Sequence, residues 1–296
     1  MTTDSATLAT AMTEGFFEVA PGKLLRYLTN GNTGKPQLVL LHGVNSRAEF
    51  FDEFLPFITE DYEIFAPDFR GHGESFRSEE PYSLACYAAD IGSFIQARIA
   101  GPFALIGMSL GGRIGLLLAG KYGQWLKKLV VIDVGPDVDP AGLARITKAQ
   151  ALLPQSFESR EALEAFYLKA YGAVSRHYIE RIISNGWKQL PGSRWVTSYD
   201  RRIWQTGPET FTQDAEMLNA VVPQIDVPVL IIRGARSDIL TAADAAAFVG
   251  RLAHGSLIEI PGATHGVLLE EPARCGAIIN EFLQTAPASV AGAANQ

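Results

Sequence analysis

The chain is poor in cysteine: Cys86 and Cys275 are the only two in 296 residues. Two thiols so far apart build no disulfide framework, and the expectation is a reduced, cytoplasmic protein. Long apolar runs are missing as well. No stretch approaches the ~18 consecutive apolar residues of a membrane span. The opening MTTDSATLATAMTEGFF has neither the basic start nor the apolar stretch of a secretory leader. Positive charge is in deficit, with 25 Lys and Arg against 32 Asp and Glu and a formal net charge of −7. That balance argues against a nucleic-acid partner and against an anionic membrane surface. Gly71 and Gly73 stand without the rest of a dinucleotide or phosphate-loop fingerprint, so no nucleotide cofactor is expected. His42 and His72 sit in glycine turns and lack the short-spaced partners of a zinc site, so no metal is expected either. Internal repeats are absent, and the small, polar ending TAPASVAGAANQ reads as a frayed tail.

What is present is a globular composition, 47% hydrophobic and 19% charged, with short apolar runs alternating with helical patterns. Strands are expected at 16–20, 23–28, 37–43, 62–68, 103–108, 128–135, 227–234 and 256–262. The inner runs, such as FALIGM and VPVLIIRG, are almost continuously apolar, as in strands of a parallel sheet buried on both faces. Helices are expected near 48–58, 82–99, 110–122, 241–252 and 272–284, the last opened by Pro272. The alternation breaks between 136 and 224, where helical patterns replace buried strands. A structureless loop of that length is implausible in a compact domain. The expected organisation is therefore α/β, with a mostly parallel central sheet flanked by helices. It is formed by 1–135 and 225–296, with 1–14 and 286–296 flexible, and a helical cap at 136–224 is inserted after the sixth strand.

One stretch carries a chemical signature. Gly107-Met108-Ser109-Leu110-Gly111 is a G-x-S-x-G pattern between an apolar strand and a helical run. Small residues on both sides of the serine allow close strand–helix packing and a sharp turn that projects the hydroxyl above the sheet. A nucleophilic serine needs a base, and the base needs an orienting acid. His265, in IPGATHGVLLEEP, follows the last expected strand, and Asp238, in RGARSDIL, follows the strand at 227–234. Loops at the carboxyl ends of parallel strands gather at one crevice. An oxyanion site needs two convergent backbone N–H groups. Leu110 at the helix start offers one and Val44, in LLHGVNS, the other. The remaining histidines, His177 and His254, are expected on the surface. Ser75 and Asp68, in APDFRGHGES, are expected to shape a loop.

Together LHGVNS, APDFRGHGES, LIGMSLGG, VVIDVGP, LIIRGARSDIL and IPGATHGV resemble the α/β-hydrolase superfamily, in its single-cap branch of esterases, lactonases and carbon–carbon bond hydrolases. The resemblance spans about 37–283 and leaves the cap poorly matched. It implies a Ser109–His265–Asp238 triad acting on a small ester-like substrate through an acyl-enzyme, with no cofactor. It also leaves a second acid open, because some relatives carry theirs after the strand before the cap, where Asp133 stands. Lactone, amide and carbon–carbon bond hydrolysis remain open on the same triad, as do a cofactor-independent oxygenase and a non-catalytic ligand receptor on the same fold. Cap aromatics (Phe166, Tyr167, Tyr171, Trp187, Trp195, Tyr199, Trp204) are expected to be packing or pocket wall. The Arg201-Arg202 pair raises the idea of a carboxylate-bearing substrate.

Overall fold

A computed structural model describes residues 12–58, 62–171, 175–205 and 208–285, without the side chains of 171 and 208. Its elements in chain order begin with β1 (Thr13–Ala20), β2 (Lys23–Thr29), β3 (Gln37–Leu41), β4 (Glu63–Pro67), α1 (Leu84–Arg98), β5 (Phe103–Met108), α2 (Leu110–Tyr122) and β6 (Leu126–Ile132). The segment from 136 to 224 follows, with α3 (Pro140–Ala151), α4 (Arg160–Tyr171), α5 (Arg176–Gly186), a hairpin of β7 (Trp187–Gln189) and β8 (Trp195–Thr197), and α6 (Pro208–Val221). The chain then resumes with β9 (Val229–Gly234), α7 (Ala242–Val249), β10 (Gly255–Ile260), α8 (Val267–Glu270) and α9 (Pro272–Gln284).

Eight strands form one sheet in the order β1-β2-β4-β3-β5-β6-β9-β10. The β1–β2 and β2–β4 pairs are antiparallel, and every pair from β4 to β10 is parallel. Central strands β5 and β9 are buried at every position, which explains their unbroken apolar sequences. Their branched and aromatic side chains divide between two cores, one on each face of the sheet. Each fully buried Leu, Ile or Val there contributes roughly 1.5–3 kcal/mol. Strand order reverses at β3, which pairs with β4 on one side and β5 on the other. The loops after β3 and β5 therefore open the crevice in which open α/β sheets bind ligands.

Several details differ from the sequence reading. The helix expected at 48–58 is two short 3-10 turns, Ala48–Phe51 and Leu55–Phe57, with Pro56 inside the second. Strands β3 and β6 stop at Leu41 and Ile132, so His42 and Asp133 stand just past strand ends. Asp133 cannot extend β6, because its φ is +51°. The amino-terminal stretch expected to be flexible is partly ordered: Thr13 and Glu14 pair with Thr29 and Leu28. Residues 1–11 and 286–296 lie outside the described residues.

The segment from 136 to 224 has a small core of its own, built from Leu153, Phe157, Leu163, Tyr167, Ile179, Ile183 and Trp187. Its last helix does not join that core. In α6, Leu218 is fully buried in the core beside the sheet, and the helix packs on α2. The other end is pinned too. A Cβ at Gly142 in α3 would lie 1.9 Å from the Asp238 carbonyl oxygen, so only glycine allows α3 to rest on the loop after β9.

Candidate active site

Ser109 links β5 to α2 with φ +52° and ψ −116°, a conformation that costs a non-glycine residue about 1–3 kcal/mol. The surroundings hold it there. Its N–H donates to Ile132 O of β6 at 3.0 Å, and its own carbonyl accepts from Gly112 N–H at 2.9 Å. The flanking glycines have steric reasons. A Cβ at Gly107 would lie 2.3 Å from Gly111 O, and one at Gly111 would lie 2.1 Å from Leu41 O. No side chain fits between α2 and the ends of β3 and β5.

His265 lies between β10 and α8, and its Nδ1 is 2.7 Å from Oδ2 of Asp133. Asp133 is fully buried. Its Oδ1 accepts from Gly234 N–H at 2.8 Å, and Oδ2 also accepts from the Ser237 hydroxyl at 2.5 Å. Asp238, the acid favoured from sequence, lines the same cavity but is paired with Arg145. Both its oxygens accept from Arg145 of α3, Oδ2 from Nε and Oδ1 from Nη2 at 2.9 Å. The guanidinium holds the Asp238 carboxyl below its usual range, and nearly half of that side chain is exposed. The physical reason is local. β6 and β9 are neighbours, so both loops reach the same rim, and the left-handed turn at Asp133 carries its carboxylate inward beneath His265.

Two buried histidines shape the loop after β3. Phe69 N–H donates to His42 Nε2 at 3.1 Å, so the ring proton sits on Nδ1 and donates to Gly43 O at 2.7 Å. Because the following peptide is planar and trans, fixing Gly43 O directs the Val44 N–H the opposite way. His72 repeats the arrangement, accepting from Asn45 N–H and donating to Arg70 O. Burial pushes His42 down to about 4 and His72 well below its ordinary value, so both are neutral at pH 7. Asn45 takes a left-handed φ of +64°, and its Oδ1 accepts from Trp204 Nε1–H at 2.7 Å. Leu110 opens α2, and N–H groups of a first helical turn have no partner within their own helix.

These loops line a cavity of about 850 Å3. Gly43, Val44, Met108, Ser109, Asp238 and His265 lie on its sheet side; Arg145, Tyr167, His177, Tyr178, Arg181 and Tyr199 come from the segment 136–224. The structure thus brings Ser109, His265 and Val44 to one cavity and places Asp133 behind His265. Tyr167 and Tyr199 are cavity wall, while Trp187 packs in the core of the segment 136–224; the Tyr171 side chain lies outside the described residues. Arg201 is spent on the carbonyls of Leu153 and Pro154, Arg202 on Asp200, and neither lines the cavity. Asp68 is buried, accepting from Ala48 N–H and Arg26 Nη1, and Ser75 donates to Asp68 O. His177 and His254 are half-exposed, and His177 also reaches the cavity. Among the described residues, no three His, Cys, Asp or Glu side chains gather as a metal site, and no helix is long and apolar enough to cross a membrane. Sequence reasoning missed Ser237, Arg145 and Tyr178: Ser237 stands in RGARSDIL beside the acid that drew attention there, and the other two sit in no recognisable motif.

A mostly parallel sheet with a strained serine after its fifth strand defines an α/β hydrolase, and comparison agrees: the chain belongs to the alpha/beta hydrolase family, whose model matches residues 38–278. Among its relatives it is 29% identical over 281 residues to a 3-hydroxybutyrate-oligomer hydrolase of Cupriavidus necator, covering 88% of this chain and 94% of that one. It is 28% identical over 236 residues to a 2-(acetamidomethylene)succinate hydrolase of Mesorhizobium japonicum, covering 78% and 82%. The crystal structure of an E-2-(acetamidomethylene)succinate hydrolase superposes with a TM-score of 0.79 at 24% identity, covering 93% of this chain and all of that one. An esterase from Mycobacterium tuberculosis superposes at 0.73 with 23% identity, covering 93% and 92%.

Proposed function

We propose that this hydrolase cleaves a small carboxylic ester through an acyl-enzyme, with Ser109 as nucleophile, His265 as general base and Asp133 as the acid. The observation that carries the reading is the 2.7 Å contact between His265 Nδ1 and the buried Asp133 carboxylate, beside a serine strained at a strand–helix turn. With Nδ1–H committed to Asp133, Nε2 is left as the basic nitrogen. It takes the Ser109 proton as Oγ attacks the ester carbonyl. Negative charge on the tetrahedral oxygen is met by the N–H groups of Leu110 and Val44, the first reinforced by the α2 dipole. His265 then hands its proton to the departing alcohol. Water, deprotonated by the same nitrogen, attacks the acyl-Ser109 carbonyl and releases the acid. Asp133 stays ionised throughout and stabilises the imidazolium. The segment at 136–224 serves as a cap over the pocket.

Ester chemistry is favoured over the other bonds open to this triad by the Cupriavidus necator relative, since joining hydroxybutyrate units end to end makes esters. The test is a panel of p-nitrophenyl esters combined with a fluorophosphonate probe. The expected result is turnover and labelling, both lost in Ser109→Ala, whose kcat should fall by about 10⁶. Labelling without turnover of any ester, with cleavage of amide or diketone substrates, would move the reading to another bond. Neither labelling nor turnover would favour a ligand receptor.

A further inference from the structure

We infer that Ser237 is a positioning residue for the acid–base pair, holding Asp133 so that one oxygen faces His265 and setting the basicity of that histidine. The inference rests on the role proposed above for His265.

The Ser237 hydroxyl has one proton and two lone pairs. Ile239 N–H and Leu240 N–H point at its oxygen from 3.2 and 3.4 Å, and they occupy the lone pairs. The proton is then left one acceptor, Oδ2 of Asp133 at 2.5 Å. The serine is itself fixed, because its N–H donates to Gly234 O at 2.9 Å. Oδ2 is the oxygen that meets His265 Nδ1, while Oδ1 is held by Gly234 N–H. Three donors thus fix the plane of a carboxylate that is fully buried, and two of them come from one turn, 234–237.

This arrangement has an electrostatic consequence. A donor on Oδ2 draws off part of the negative charge that would otherwise face the imidazole. Without it, Oδ2 attracts the imidazolium more strongly, and the pKa of His265 rises. The carboxylate also loses one of its restraints, which loosens the Nδ1–H···Oδ2 bond and lowers kcat; because Gly234 N–H still holds Oδ1, that rotation is limited and the charge on Oδ2 sets the direction of the pKa change. Ser237 therefore acts on the base through the acid, without touching substrate.

The experiment compares Ser237→Ala and Ser237→Thr with the parent protein, using a short p-nitrophenyl ester and histidine NMR titration, with His265→Gln to assign the resonance. For Ser237→Ala, kcat should fall about 10- to 100-fold with KM little changed. The acid limb of kcat and the NMR-detected pKa of His265 should both move to higher pH. Ser237→Thr keeps the hydroxyl and should restore most of the rate and the original limb. A folded Ser237→Ala whose His265 titrates as in the parent overturns the inference, even if its melting temperature drops. The NMR arm separates the two ideas. If Ser109→Ala retains turnover, the proposed function fails while the His265 titration still judges Ser237.

Discussion

Asp133 and His265, 132 residues apart in sequence, meet at 2.7 Å, while Asp238, the other carboxylate considered for the same role, is paired with Arg145. Asp133→Asn should lower kcat on the order of 10⁴-fold, because the amide holds His265 in the wrong tautomer. Asp238→Asn should change kcat less than about tenfold, since it weakens only a half-exposed ion pair. Steady-state kinetics of the two variants, with circular dichroism as a folding control, decides between the acids.

The glycines around Ser109 give a stability prediction. A methyl group at Gly107 or Gly111 meets backbone that cannot yield, at 2.3 and 2.1 Å. Either alanine variant should lose about 3 kcal/mol in urea unfolding, the upper end of what overpacking costs. Gly101→Ala is the control: nothing lies within 4 Å of its added Cβ, and the change should stay within about 0.5 kcal/mol.

His42 links stability to pH. Its folded pKa is about 4, against roughly 6.5 when unfolded. Between those values the unfolded chain binds a proton that the folded one does not, so stability falls as pH drops from 6.5 and levels off below 4. The contribution is about 3 kcal/mol in all. His72 acts in the same direction. In a His42→Asn variant the loss of stability between pH 6.5 and pH 4 should shrink by roughly that amount. Urea midpoints across the range provide the check, and an unchanged slope would count against the neutral, buried ring.

Asn45 holds a left-handed backbone that most side chains resist by about 1–2 kcal/mol. Asn45→Ala adds that strain next to Val44 and removes the acceptor of Trp204. A fall in kcat of about tenfold is expected, while Asn45→Gly, free of the strain, should retain more activity. The order of the two rates is the readout, and alanine outperforming glycine would refute the assignment of strain to this residue.

Ser109 and His265 were legible because glycine spacing and chain order depend on local sterics and sheet topology, both written in the primary structure. The alternating apolar runs disclosed the sheet for the same reason. The contact between His265 and Asp133 was not legible. Choosing between Asp133 and Asp238 depends on a left-handed φ at one and on a guanidinium from α3 at the other, and neither is a property of the flanking sequence. The β7–β8 hairpin was hidden because its strands are three residues each, too short to display alternation. Ser237 was hidden by its ordinariness, a lone serine whose partners arrive from β6 and from its own turn.

Gly266, next to the candidate base, has a neighbour from the segment 136–224: a Cβ there would come within 2.2 Å of the Tyr178 ring of α5. The two parts of the chain are therefore not interchangeable modules. A segment grafted from a relative with a different residue at the Tyr178 position would leave a hole beside His265, and a bulkier residue at 266 would evict the native one. Changes at these two positions have to travel together, so attempts to recombine substrate pockets among such hydrolases should move position 266 with the helix that covers it.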